Sequence, residues 1–459
     1  MRRPARGRRT RIATALGVAA AVGLTAVPGH ATQPATPVLH DGYGIHVQKV
    51  TRVDDRQVSV DVLTPAIGRP TNIRVAVPAD YGQHPKQRYP VLYLITGTGG
   101  HAPDWFTDGK AEQLTAGLPL IVVSTDVGVA TAGWFANWQD TSTSLGPNQW
   151  ETYYIDELIP WVDASFRTRA NRDGRAVAGL SQGGFGSMYY PMRHPDMFVS
   201  AASFSGAIDI AYGTPTTELG HSFVVGTETA SGIGPFTIFG DPTKEEVSWQ
   251  GHDPTTLLPN STDMDVWLYT GNGIPGPLEP PGPPNPALMA IEVLGHDLTH
   301  AMYAHAQELG LDNVHLVDYG PGTHSWPYWQ RDLTWYLPHI MGDFARRPAD
   351  PAPAAYTSIE KSWQQWGWSI AFDRPEKYEF SDLSGASAHG FQLSGSGVAT
   401  VVTPADFRPR TALIVTLSSS SGERTVRMHA DKRGRLQITF PMDSGDVAVT
   451  IAKAPARSR

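Results

Sequence analysis

Cysteine is absent from all 459 residues, which excludes disulfides, thiolate nucleophiles and thiolate metal sites. Charge is sparse as well: Asp, Glu, Lys and Arg make up 17% of the chain, and the formal net charge is −8. That leaves no broad basic field for nucleic acid, and the expected substrate is neutral or weakly polar. An apolar run long enough for a stable membrane anchor is also lacking, because Ile12 to Val27 is short, rich in Ala and Gly, and broken at Pro28. Preceded by Arg2, Arg3, Arg6, Arg8, Arg9 and Arg11 and followed by Gly29-His30-Ala31, the run reads instead as a signal peptide over residues 1–31, so export to the medium or cell envelope is expected. The pair Arg8-Arg9 leaves the export route open.

What is present divides into two compositions, within a length that suits two or three domains. His46 to Asp61 and Asn72 to Val77 alternate apolar and polar residues about a Gly68-Arg69-Pro70 turn and read as antiparallel strands. Tyr89 to Ile95 and Leu118 to Ser124 are continuous apolar runs, the pattern of strands buried on both faces of a mostly parallel sheet. Trp150 to Phe166 has helical spacing; Val199 to Ser205 and Val266 to Thr270 read as strands, and Pro286 to Leu309 as a helix. This alternation predicts an α/β domain over residues 32–345. A Pro/Ala-rich linker at 346–355 then leads to short alternating segments and turns over 356–459, expected to form a small all-β, sandwich-like domain. Its Trp363, Trp366 and Trp368 are expected to pack into a core rather than form a sugar platform.

Chemistry enters at Gly179-Leu180-Ser181-Gln182-Gly183, a Gly-x-Ser-x-Gly turn between a short apolar strand and a helix. Such a nucleophile elbow lifts the serine Oγ clear of the sheet; the alternative is a Gly-rich turn in which Ser181 caps the helix. An acyl-transfer serine needs a base, an acid to orient it and donors for the oxyanion, in the chain order Ser, acid, His. Of the 16 histidines, His324, in the loop Gly320-Pro321-Gly322-Thr323-His324-Ser325-Trp326 after the apolar Val314 to Val317, is best placed. The backbone N–H of Gln182, next after the nucleophile, supplies one oxyanion donor.

Gly322 to Trp329 (Gly-Thr-His-Ser-Trp-Pro-Tyr-Trp) resembles the histidine loop of the esterase D superfamily of α/β-hydrolases, and within it that of the secreted actinobacterial mycolyltransferases. Trp150-Glu151-Thr152, Glu157 to Trp161, Gly179-Leu180-Ser181, His194-Pro195 with Phe198, and Trp267 to Gly273 resemble the same family in the same order, from about Tyr89 to Leu337. The resemblance implies an α/β-hydrolase fold with a mostly parallel sheet flanked by helices, and Ser181 as nucleophile. The family's acid falls on Glu292, with Asp263, Asp265 and Asp297 as fallbacks, and the second oxyanion donor on the backbone of Thr98. It also implies substrate contacts from Ser325 and Trp326 of the histidine loop and from Thr96 and Gly99. These last two stand where the mycolyltransferases have an Asp and an Arg that contact trehalose, a loss that weakens a sugar site built on them.

The expected protein is a secreted serine carboxylesterase working through Ser181, His324 and Glu292 with no cofactor and no metal. Its partners are an ester substrate, with lipids and cell-envelope glycolipids among the candidates, and no nucleic acid. The alternatives are an acyltransferase using trehalose or another alcohol and, more remotely, a non-catalytic wall-binding protein. A metallopeptidase is a remote rival: His296-Asp297-Leu298-Thr299-His300 spaces two imidazoles four apart, but the zincin motif has Glu where Asp297 stands, and its extended form Gly and His where Tyr303 and Ala306 stand; His296, His300 and His305 are expected to be surface residues.

Overall fold

Three antiparallel strands lead into the sheet: β1 (His46–Arg52), β2 (Gln57–Leu63) and β3 (Pro70–Ala76). The stretch His46 to Asp61 is thus two strands, because Asp54 Oδ1 accepts from the N–H groups of Arg56 (2.7 Å) and Gln57 (2.8 Å) and turns the chain. Six further strands follow: β4 (Val91–Ile95), β5 (Ile121–Thr125), β6 (Arg175–Leu180), β7 (Ser200–Phe204), β8 (Asp265–Thr270) and β9 (Val314–Asp318). The nine strands lie in the order β1-β2-β3-β5-β4-β6-β7-β8-β9, and every pairing from β5 to β9 is parallel. This computed structural model describes residues 38–127, 133–213, 217–279, 281–442 and 445–455; the signal-peptide reading of residues 1–31 lies outside them.

Strand alternation divides the core. Val91, Tyr93 and Ile95 of β4 point to one face, where they join Phe185 and Met188 of helix α1 (Gln182–Arg193). Leu92 and Leu94 point to the other, with Leu333 and Tyr336 of a later helix, Trp326–Arg346. Burial on both faces is why these strands read as unbroken apolar runs. The helix expected over Trp150 to Phe166 forms with its middle, Tyr153–Leu158, in the wider π geometry. Pro160, which has no N–H to offer, follows that wide turn directly.

From Ala354 to Lys453 the described residues carry strands only, in a six-stranded and a four-stranded antiparallel sheet. Their shared core includes Trp363, Trp368, Phe391, Val401, Ile438 and Val449. Trp363 and Trp368 are buried and Trp366 is half-buried beneath Arg172, so these aromatics are packing residues.

A buried charge cluster joins this all-β part to the hydrolase part. Arg193 Nε donates to Glu151 Oε1 (2.8 Å), Nη2 to Glu360 Oε1 (2.8 Å) and Nη1 to the Gly251 carbonyl (3.0 Å). Tyr189 Oη donates to Glu151 Oε2 (2.7 Å), and His194 Nε2 lies 2.8 Å from Oε1. Burial opposes the Glu151 charge, but Arg193 and His194 overcome it and hold the carboxyl well below the usual range. This stabilisation is therefore complete above about pH 4.3 and is lost as pH falls further. Arg193→Met, which leaves Glu360 unpaired and Glu151 buried without its cation, is expected to destabilise the protein by about 3–5 kcal/mol in urea melts. A loss under 1 kcal/mol would show the cluster to be indifferent to its charge.

Candidate active site

Ser181 stands at the carboxyl end of β6, where the strand turns into α1, with φ 55° and ψ −125°. A non-glycine residue pays roughly 1–3 kcal/mol to hold such a conformation. Its N–H donates to the Phe204 carbonyl (3.0 Å), and its carbonyl accepts from Gly184 N (2.8 Å). The side chain makes no capping hydrogen bond to the helix, so the helix-cap reading is set aside. The loop after β4 comes close: a methyl group on Gly97 would stand 2.9 Å from Ser181 Cβ, and only glycine lets that backbone pass.

The acid and the base are held by elements that follow β8 and β9. Helix α2 (Thr217–Ala230) lies earlier in the chain; helix α3 (Pro286–Glu308) follows β8 and carries Glu292, fully buried; His324 sits in the loop between β9 and helix α4 (Trp326–Arg346). His324 Nδ1 lies 2.8 Å from Glu292 Oε2. The other carboxylate oxygen, Oε1, accepts from Gly271 N (2.7 Å) and Ser205 Oγ (2.8 Å), so the glutamate is oriented from both sides. The backbone N–H of His324 donates to the Leu288 carbonyl of α3 (3.3 Å), and Trp329 packs edge-on against the imidazole at 4.9 Å. His324 Nε2 is buried without a hydrogen-bond partner among the described residues.

The fallback acids are engaged elsewhere. Asp265 lies 2.9 Å from His315, Asp297 lies 3.3 Å from His296, and Asp263 Oδ2 accepts from Thr262. A further buried acid, Asp332 on α4, accepts from Arg331 at 3.2 Å. Burial, offset only in part by Arg331, pushes its carboxyl well above the usual range, and Glu292 is the acid that contacts the histidine.

Ser181 and His324 open on one cavity of about 560 Å³, which Thr96, Thr98, Gly99 and Trp326 also line. Thr98 and Gly99 are exposed, Thr96 buried, and Gln182 is the first residue of α1. Ser325 is buried at the start of α4 and does not reach the cavity wall. The remaining wall is largely apolar and escaped the sequence analysis: Phe223, Gly226 and Ala230 from α2, Leu288 and Ile291 from α3, and Trp329. Also unforeseen were Ser205 and Trp329, whose Nε1 donates to Ser205 Oγ at 3.4 Å. The one available signal was the Ser205-Gly206 step that follows β7, at the carboxyl ends of the strands where sites gather. His305, expected at the surface, is buried, with its ring 3.9 Å from that of Tyr212.

A mixed, mostly parallel sheet with a strained serine at a strand end, beside a histidine paired to a buried carboxylate, defines an α/β-hydrolase architecture. The sequence model of the Esterase family matches residues 64–340, and the chain belongs to that family. Esterase Rv1288 of Mycobacterium tuberculosis is 34% identical over 235 residues, covering 50% of this chain and 49% of that protein; the chain thus spans about half the length of that relative. The diacylglycerol acyltransferase/mycolyltransferase Ag85C of Mycobacterium avium is 26% identical over 347 residues, covering 74% of this chain and 86% of its own. Among solved structures, MPT51 (FbpC1) of Mycobacterium tuberculosis superposes with a TM-score of 0.50 at 24% identity, covering 62% of this chain and 97% of its own. Among the described residues no helix is long and apolar enough to cross a membrane.

Proposed function

We propose that the chain is a serine carboxylesterase acting through an acyl-enzyme. The observation that carries this reading is the 2.8 Å contact between His324 Nδ1 and buried Glu292, beside the cavity that Ser181 enters from a left-handed turn. In the first step Ser181 Oγ bonds to the ester carbonyl carbon while His324 Nε2 takes its proton, and Glu292 stabilises the imidazolium. The backbone N–H groups of Gln182 and Thr98 receive the oxyanion. Collapse breaks the C–O bond, His324 returns the proton to the departing alcohol, and water activated by His324 then releases the acid. The apolar wall from Phe223, Leu288 and Ile291 suits an acyl chain, and a lipid or envelope glycolipid ester fits it.

Hydrolysis is favoured over transfer to trehalose because Thr96 and Gly99 supply neither carboxylate nor guanidinium. The esterase and acyltransferase names of the relatives are compatible with both. We read the protein as secreted, on the strength of residues 1–31, and its C-terminal sheets as a sandwich that supports the catalytic part. The test is turnover of a short and a long acyl ester with trehalose or glycerol in excess, products identified by mass. Free acid is the expected product; acylated sugar as the main product would overturn the hydrolase assignment in favour of transfer.

A further inference from the structure

The outer face of α3 carries a second cluster that the esterase chemistry does not use. His296 and His300, one helical turn apart, both turn Nε2 toward Asp318 at the end of β9: the distances to Asp318 Oδ2 are 3.2 Å and 3.1 Å. The three candidate donor atoms lie within 4.8 Å of one another. Outer partners aim two of the three groups. Asp318 Oδ1 accepts from Gly320 N at 2.9 Å, which leaves Oδ2 facing the histidines, and His296 Nδ1 lies 3.3 Å from the Asp297 carboxylate. A carboxylate on the far ring nitrogen is the usual way to fix the tautomer of a metal-binding histidine.

We infer that His296, His300 and Asp318 form a site for a borderline divalent cation, Zn²⁺ above all. Ligands about 2.0–2.1 Å from a tetrahedral metal stand about 3.3 Å apart, close to the histidine-to-Asp318 distances here, and a small rotation of the two rings closes the third edge. Two imidazoles and one carboxylate suit Zn²⁺ and not Mg²⁺, which favours oxygen ligands and an octahedron. Three protein ligands leave a position open to water, but the site is not a peptidase centre, since Asp297, in place of the zincin glutamate, is turned back onto His296. Its place in the fold suggests a clamp. It ties α3, which carries Glu292 and whose Leu288 carbonyl anchors His324, to the strand that leads into the histidine loop.

The experiment is calorimetric titration of the chelator-stripped full chain with ZnCl2, with melting curves recorded alongside. One saturating Zn²⁺ equivalent is expected, retained in His324→Ala and absent with MgCl2, with Tm raised by about 3 °C at a hundredfold excess over Kd. His300→Ala should weaken this binding at least about tenfold, no less than loss of an outer partner does, and Asp297→Asn about tenfold. Both positions are at the surface, and circular dichroism checks that each variant is folded. Absence of saturable heat in the wild type, equal affinity in His300→Ala, or loss of binding in His324→Ala would each overturn the assignment.

Discussion

Ser181→Ala is expected to lower kcat for any ester substrate by roughly 10⁴–10⁶-fold, with a residue of turnover left by the oxyanion donors and substrate binding. The fold should not notice the change, because Ser181 Oγ caps nothing and the backbone bonds from Ser181 to Phe204 and Gly184 do not involve the side chain. Alanine keeps the Cβ and therefore the strain of φ 55°. Ser181→Gly removes it, and should be equally inactive yet more stable by about 1 kcal/mol or somewhat more. The pair of variants separates chemistry from folding: if Ser181 is the nucleophile proposed above, its strained conformation serves the reaction and not the fold. Ester turnover and urea melts of both proteins make the measurement. More than a tenth of wild-type kcat in Ser181→Ala would place the nucleophile elsewhere, and a glycine variant no more stable than wild type would mean that the turn is not strained by its side chain.

The parts of this molecule that can be read from its sequence are those set by local pattern. β4 and β5 lie in continuous apolar runs because both faces are covered, and the elbow is a sharp turn because glycines flank the serine. What cannot be read depends on contacts between distant residues. Ser205 donates to Glu292 across 87 positions and Trp329 reaches Ser205 across 124; nothing near any of the three announces the partner. The cavity wall from α2 is similarly remote, since two strands and the long helix α3 are among the elements that separate Phe223 from His324. Buried charge is hidden in the same way. Glu151 and Arg193 would ordinarily be assigned to the surface, but each satisfies the other in the interior and the pair carries the contact to Glu360. Glu151 and His194 lie in the stretches that resemble the mycolyltransferases, and in this chain their joint contact braces the helix behind the elbow.

Glu292→Gln is expected to reduce kcat by about 10³–10⁴-fold while leaving stability nearly unchanged. The direction follows from which atoms face the carboxylate. Gly271 N–H and the Ser205 hydroxyl both point at Oε1, so a glutamine amide must place its carbonyl oxygen there; the flipped amide would set its own N–H groups against the Gly271 donor. The NH2 group then meets His324 Nδ1, which has to accept. An imidazole that accepts at Nδ1 carries its proton on Nε2 and cannot receive one from Ser181. The imidazolium of the transition state also loses its countercharge in a buried site, so kcat and kcat/KM should fall together. Glu292→Ala reaches similar inactivity by a different route, stranding the Gly271 and Ser205 donors at roughly 1–3 kcal/mol each, and should melt well below the glutamine variant. Near-wild-type kcat in Glu292→Gln would show that the 2.8 Å contact with His324 does not set the tautomer. With Asp265 committed to His315, Asp297 to His296 and Asp263 to Thr262, none of the three fallback acids could stand in, and the base would have to work without an orienting carboxylate.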